Sequence, residues 1–306
     1  MTTRAVVFAY HDVGDRCLRA LVSQRWDIPL VVTHAPDPAE KPWFANVAET
    51  AASLGIPLLM PDKQESLERV LAQLKPDFLF SFYYRNLLGE SVLRHAGRAA
   101  LNMHGSLLPR YRGRAPVNWA IANGETVTGA TLHHMVARAD AGDIVDQLSV
   151  PILQDDDARA VMAKVTVAAE IVLTRNLEAL AAGTAPRRTQ DTTKGEYCGR
   201  RTPEDGRINW ALSAQRIHDL VRAVAPPYPG AFGDVGGTRW WIYKTRRSGP
   251  VAEPRSKPQL CVRGAACTVI CQDGEGLQVL SAATAEGPIN LRTMVRELET
   301  RPVFLL

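Results

Sequence analysis

Runs of consecutive apolar residues alternate with amphipathic stretches along the first half of the chain. Residues 4–9 and 28–33 read as buried strands, because such continuous apolar runs leave no polar side for water, 57–60 as a short strand and 78–82 as a further one. Helices are expected over about 15–24, 44–54 and 65–74, with His11-Asp12-Val13-Gly14 as the turn into the first. Strands alternating with helices of this length indicate βαβ units and a parallel sheet. Residues 34–42 carry three prolines and cannot be regular structure. A further strand at 99–103 is stopped by Gly105, and a helix at 116–123 ends on Asn123-Gly124. Strands at 131–136 and 144–152 then flank a polar loop. Asp155-Asp156-Asp157 opens a helix whose Val161, Val165, Ala168 and Val172 recur at three- and four-residue spacing, and Gly183 is placed to end it. Residues 190–205 are polar and read as a linker running over the cleft. Beyond them a helix near 213–224 precedes short strands at 238–244, 259–262, 267–271 and 276–281, the texture of a small β-barrel. The expected domains are 1–190 and 206–306, joined by a linker at 191–205.

Composition narrows the function classes. A length of 306 residues suits two domains, and 46% hydrophobic with 22% charged residues is ordinary for a globular enzyme. The formal charge of +4 suits a phosphorylated substrate without indicating nucleic-acid binding. No apolar run approaches the ~18 residues of a membrane span, and the amino-terminal run is too short for a signal peptide. Five cysteines without a C-x-x-C pair point to free thiols in a reducing compartment, so a cytoplasmic protein is expected. No metal site is expected: the last three cysteines have no histidine nearby, and His133 and His134, adjacent on a strand, face opposite sides. The absence of G-x-G-x-x-G after the first strand argues against an NAD-dependent enzyme.

Candidate chemistry centres on Leu101-Asn102-Met103-His104-Gly105. Residues two apart on a strand project from one face, so Asn102 and His104 point into one space at the strand's carboxyl end, where open α/β sheets bind ligands. Asp140 lies in the polar loop that follows. An amide to hold an oxyanion, an imidazole to move protons and a carboxylate to orient and charge it suit acyl transfer. Taken singly, each has a blander reading: a turn cap, a structural histidine, a solvated aspartate. Gly105-Ser106-Leu107 is no nucleophile elbow, which needs G-x-S-x-G, and this argues against a Ser-His-Asp hydrolase. Tyr83 and Tyr84, just past a strand end, can stack on a ligand ring or cover the sheet edge.

His104-Gly105-Ser106-Leu107-Leu108-Pro109, Arg112-Gly113-Arg114-Ala115-Pro116 and Asp140-Ala141-Gly142-Asp143-Ile144 together resemble the signature of formyltransferases that use 10-formyltetrahydrofolate. The resemblance implies a Rossmann-like α/β domain, mostly parallel, followed by an OB-like β-barrel. It implies Asn102, His104 and Asp140 as the catalytic set, and folate held by Asn86, Leu87, Leu88, Arg114 and the run Val136, Ala137, Arg138, Ala139, Asp140, without a metal. Phe8-Ala9-Tyr10-His11-Asp12-Val13-Gly14, Phe80-Ser81-Phe82-Tyr83-Tyr84-Arg85 and Gly199-Arg200-Arg201-Thr202-Pro203-Glu204-Asp205 are similar to the subfamily that formylates UDP-4-amino-4-deoxy-L-arabinose for lipid A modification and polymyxin resistance. The other subfamily, which formylates methionyl-tRNA, carries a basic loop where this chain has the net-negative 36–42, poorly suited to a phosphate backbone. Tyr10 joins the substrate-binding candidates through this resemblance. Arg112, Arg200 and Arg201 can bind the diphosphate of a UDP-linked amino sugar through bidentate hydrogen bonds, or be solvated surface arginines. The expected partners are folate and the UDP-sugar, with no nucleic acid and no membrane. Another nucleotide-sugar amine is the alternative acceptor. Fused members of the subfamily carry a dehydrogenase-decarboxylase domain, so a sequence ending at Leu306 reads as a stand-alone enzyme or one half. Either can form a homo-oligomer or associate with a separate dehydrogenase-decarboxylase.

Overall fold

The computed structural model describes residues 2–35, 42–61, 64–254, 257–298 and 303–304. Most of the proline-rich stretch, 36–41, lies outside them. The chain divides into two compact units. Met1–Pro116, Thr128–Val150 and Ala163–Cys198 form the first, and Val117–Val127, Pro151–Met162 and Gly199–Leu306 the second.

In chain order the elements up to Cys198 are β1 (Arg4–Ala9), α1 (His11–Ser23), β2 (Asp27–Val32), α2 (Val47–Ser53), β3 (Leu58–Leu59), α3 (Gln64–Leu74), β4 (Phe78–Phe82), α4 (Glu90–Leu93), β5 (Ala99–His104), β6 (Arg112–Gly113), α5 (Pro116–Ala122), β7 (Val127–His134), β8 (Ile144–Pro151), α6 (Ala158–Ala182) and β9 (Tyr197–Cys198). Seven strands form one sheet in the order β3-β2-β1-β4-β5-β7-β8. The pairs from β3 to β5 are parallel, and β7 runs antiparallel to β5. The sheet is therefore mostly parallel, as the alternation of strands and helices predicts. β4 is buried along its whole length and β1 at every residue but Arg4, because both faces of the sheet centre are covered. One covered face holds Val6, Phe8, Leu30, Val32, Leu67, Leu71, Leu79, Val92 and Ala100, with Tyr84, Leu88 and Met135 packed against it.

Two helix starts differ from expectation for identifiable reasons. His11-Asp12-Val13-Gly14 is the first turn of α1 rather than a separate turn: the Gly14 N–H donates to the Tyr10 carbonyl (3.1 Å), and the helix start lies so close to β1 that a Cβ on Gly14 would crowd Ala9. α2 begins only at Val47, because the Asn46 side chain accepts the Ala48 N–H and caps it there. Trp43 and Phe44 instead pack on the His11 ring.

The second unit contains α7 (Ala214–Ala223), β10 (Ala231–Val235), β11 (Thr238–Pro250), β12 (Gln259–Arg263), β13 (Ala266–Ile270), β14 (Glu275–Thr284), β15 (Gly287–Pro288), α8 (Leu291–Leu298) and β16 (Val303–Phe304). Its strand pairs are antiparallel, in the order β10-β11-β14-β13-β12-β16 with β15 on β14. β11 extends well past the expected residue 244, since register shifts at Ile242/Lys244, Lys244/Thr245 and Arg247/Gly249 let one long strand follow β14. No helix among the described residues is long and apolar enough to cross a membrane.

Helix α7 carries a buried ion pair, Arg222 Nη2 to Asp219 Oδ1 at 2.7 Å. Arg222 Nη1 also donates to the Leu153 and Asp156 carbonyls, and Gln215 donates to the same Asp219 oxygen. Removing one partner strands the other charge in a dry site. Asp219→Ala is therefore expected to destabilise the protein by about 3–5 kcal/mol, read as a lower denaturation midpoint in urea. A change below about 0.5 kcal/mol would contradict this account of the pair.

Candidate active site

The carboxyl end of β5 carries the site, and each side chain there has a local reason for its place. The β5–β7 register sets Asn102 opposite His133 and His104 opposite Thr131. After Gly105 the chain turns sharply. Thr131 Oγ1 donates to the Ser106 carbonyl (2.6 Å) and accepts the Leu108 N–H (3.2 Å), while Ser106 Oγ donates to the Arg110 carbonyl. Ser106 thus shapes the loop. Asp140 sits in the β7–β8 connection with φ +52°, a left-handed conformation that its surroundings must hold. Gly142 packs where any Cβ would collide with the His134 carbonyl. The Gln190 amide donates to the Asp140 and Gly142 carbonyls, fastening the loop.

The three expected catalytic side chains converge. Asn102 Nδ2 lies 3.4 Å from Asp140 Oδ1, and His104 Nδ1 lies 3.6 Å from Asp140 Oδ2. The second contact is an ion-pair distance rather than a direct hydrogen bond. A fourth member, His133, which the sequence pattern does not single out, joins them: its Nε2 is 3.1 Å from Asn102 Nδ2 and 3.5 Å from Asp140 Oδ1.

Main-chain carbonyls settle the tautomers, because a carbonyl only accepts. His104 Nε2 lies 2.8 Å from the Tyr111 carbonyl and so carries a proton, leaving Nδ1 turned to Asp140. His133 Nδ1 donates to the His134 carbonyl (2.9 Å), which leaves Nε2 to accept from Asn102. Asp140 Oδ2 also accepts the Gly113 N–H at 2.8 Å. Burial alone pushes the Asp140 carboxyl upward. The charge that His104 and His133 bring when protonated, the bond a protonated His133 then gives it, and the Gly113 N–H outweigh it and hold the group well below the usual carboxylate range. A carboxylate between two imidazoles can therefore balance a proton gained by either.

The remaining candidates divide. Leu87 is 70% exposed and Val136 is exposed as well, whereas Leu88 and Met135 each pack against the same core cluster. The 84–88 and 135–140 segments are thus both anchored on that cluster. Arg114 donates to the Arg85 carbonyl (3.3 Å), tying the turn after β6 to this segment. Asn86, Ala137, Arg138 and Ala139 lie in the same two segments. Tyr10 stacks under the Arg85 guanidinium, 4.3 Å from its ring centroid. Tyr84 stacks flat on His34 at 4.1 Å and edge-on to Phe8, so of its two readings it takes that of an aromatic pair covering the sheet. Arg200 and Arg201 belong to the second unit. Arg200 is exposed, and Arg201 lies over the Trp119 ring (4.4 Å) and donates to the Asp205 carbonyl. Arg112 departs from the surface reading: it is buried, its Nη2 donates to carbonyls of the chain itself, and its Nε and Nη1 are buried without a partner among the described residues.

Comparison with known proteins bears on the chemistry. The family model described as formyl transferase matches residues 5–177, and that of the formyl transferase C-terminal domain matches residues 200–299. Among solved structures, the chain is similar in fold to the N-formyltransferase of Helicobacter canadensis in complex with folinic acid and dTDP-3-aminofucose (TM-score 0.75, 19% identity, 91% of this chain and 99% of that one). It is similar as well to WlaRD, a sugar 3N-formyl transferase with dTDP and 5-N-formyl-THF (TM-score 0.74, 17% identity, 95% and 99%). HypX from Aquifex aeolicus with tetrahydrofolic acid matches over 93% of this chain and 45% of its own length (TM-score 0.63, 18% identity). At such identities the likeness is one of fold, but the two family matches together span most of the sequence, and the chain belongs to the formyl transferase family.

Proposed function

We propose that the protein transfers the formyl group of 10-formyltetrahydrofolate to the 4-amino group of a UDP-linked amino sugar, UDP-4-amino-4-deoxy-L-arabinose. The observation that carries the chemistry is the convergence of Asn102, His104 and Asp140, with His133 behind them, at the carboxyl end of β5. The folate supplies the formyl carbon bound at its N10. Its ring fits the exposed Leu87 and Val136 side chains, which give it apolar cover, and the main chain of 136–140, which can bond a pterin edge.

The residues then have distinct tasks. His104 Nδ1 takes the proton released as the acceptor amine attacks and returns it to the departing N10, while Nε2 stays committed to Tyr111. Asn102 donates to the oxygen that gains negative charge, and the longer of its two present bonds, 3.4 Å to Asp140, is the one it can exchange. His133 accepts the other Nδ2 hydrogen and so keeps the amide from turning its carbonyl toward the reacting centre. Asp140 balances the charge of the imidazolium.

The choice of acceptor is supported by the three motif stretches similar to the aminoarabinose subfamily. The fold neighbours crystallised with dTDP and dTDP-3-aminofucose favour a second reading, a dTDP-linked amino sugar. Purified protein with 10-formyltetrahydrofolate is expected to formylate UDP-4-amino-4-deoxy-L-arabinose at kcat/KM at least about tenfold above a dTDP-amino sugar, with no turnover of methionyl-tRNA. The reverse order would move the assignment to the dTDP-sugar. Formylation of methionyl-tRNA alone would overturn it, and formate release without any amine would indicate a hydrolase.

A further inference from the structure

The turn after the HGSLLP segment reaches the proposed catalytic side chains through its main chain. The Tyr111 carbonyl takes the His104 Nε2 proton, and the Gly113 N–H meets Asp140 Oδ2, each at 2.8 Å. Arg112 stands between them. Tyr111, Gly113 and Ala115 all have positive φ (+56°, +97° and +51°), a run that L-residues hold only when their surroundings impose it.

The surroundings here are the segment 192–198. It pairs with the turn as β6 and β9, and the Arg112 N–H donates to the Glu196 carbonyl (3.1 Å) and the Arg114 N–H to the Cys198 carbonyl (2.9 Å). Gly113 lies so close beneath it that a Cβ would collide with the Cys198 carbonyl. Gly195 in turn lies where a Cβ would collide with the Pro109 carbonyl. One side chain bolts the two segments together. Arg112, only 3% exposed, sends Nη2 to the carbonyls of Thr192 (3.3 Å) and Gly195 (3.1 Å). Burying a guanidinium against neutral carbonyls is costly, and here a single nitrogen reaches two carbonyls of 192–198 from the turn that carries Arg112.

We propose that Arg112 is a positioning residue: it locks 192–198 onto 111–113 so that the Tyr111 carbonyl and the Gly113 amide stay aimed at His104 and Asp140. This rests on the catalytic reading of those two residues. It differs from a diphosphate-binding role for Arg112, which would need the guanidinium turned toward a ligand.

Two variants of the full chain test it, Arg112→Lys and Gly195→Ala. A lysine keeps the charge but its nitrogen ends one bond short of the Nη2 that meets the two carbonyls, and a methyl on Gly195 pries the segment from Pro109 without altering the Arg112 side chain. Both are read in two ways. The first uses 15N-histidine NMR of the protein without substrate, with the His104 Nε2–H signal assigned by its loss in His104→Gln. Exchange of that proton with water is expected to quicken at least about tenfold in both variants, as its acceptor carbonyl is released. The second is steady-state kinetics with 10-formyltetrahydrofolate and UDP-4-amino-4-deoxy-L-arabinose. There kcat is expected to fall on the order of 10–100-fold, the usual cost of a misplaced catalytic group, with KM for the sugar within about twofold. Should Arg112→Lys not fold, Gly195→Ala decides alone. Unchanged exchange in a folded variant overturns the proposal, as does a raised KM for the sugar at constant kcat, which would make Arg112 a ligand of the diphosphate. If Asp140→Asn leaves kcat unaltered, the catalytic reading fails, and the exchange measurement still decides what Arg112 holds.

Discussion

His104→Ala is expected to lower kcat for formyl transfer by about 10²–10⁴, the span ordinarily supplied by a positioned general acid–base. The KM values for folate and amine should stay within about threefold, since a buried ring contributes little surface for ligand contact. Which nitrogen is free decides the outcome. Nε2 donates to Tyr111, so only Nδ1 can exchange a proton with the reacting nitrogens, and Nδ1 is the atom that faces Asp140. Alanine removes both functions at once and leaves the Tyr111 carbonyl without its donor. Retained folding, checked by thermal denaturation, is therefore part of the measurement. A second variant, His104→Gln, keeps a polar side chain yet carries no titratable nitrogen, and it should be as inactive as the alanine. A kcat within twofold of wild type in either folded variant would remove His104 from the mechanism.

How much of this site a reader of the sequence can see depends on whether the information is local. Asn102 and His104 are legible because period two along a strand is a local rule, and the strand is marked by its apolar run and by Gly105. His133 is not. Adjacent histidines on a strand face opposite ways, which the sequence shows. Which of the two faces Asn102 depends on the antiparallel register of β7 on β5, a pairing of residues about 30 apart. The parity of Thr131 and His133 with Asn102 and His104 was the available signal. The tray formed by Tyr111 and Gly113 is hidden for another reason: it acts through a carbonyl and an amide, which every residue possesses. Arg112 reads as a surface cation because charged residues usually are; burial against carbonyls is decided by the 192–198 segment, with its acceptors 80 and 83 positions away. In the second unit, β10 escapes notice because Gly233 interrupts its apolar run. The reason for that glycine, the Trp210 ring lying across it, is again non-local.

Asp140→Asn tests the electrostatic half of the mechanism, and its expected loss in kcat is about 10⁴, the scale seen when a carboxylate that orients a catalytic histidine becomes an amide. The substitution is nearly isosteric, yet the hydrogen bonds cannot all be kept. Oδ2 accepts the Gly113 N–H and Oδ1 accepts from Asn102, and an asparagine has only one oxygen for both. Its NH2 group must then face either the Gly113 N–H or the Asn102 Nδ2, donor against donor. The imidazolium of His104 loses its counter-charge as well. A pH series separates this from general damage. The folded-state pKa of Asp140 lies below its unfolded value of about 3.9, so the carboxylate stabilises the fold fully above that pH. The contribution is lost only as the pH falls below about 4 and the unfolded chain binds the proton first. The stability difference between wild type and Asp140→Asn is therefore expected to stay constant from about pH 5 to 8 and to shrink below about pH 4, while the kcat deficit persists throughout the neutral range. A stability difference that instead changes between pH 6 and 8 would mean that a histidine, not Asp140, carries the linkage, and a kcat deficit below tenfold would reduce the carboxylate to a structural tie.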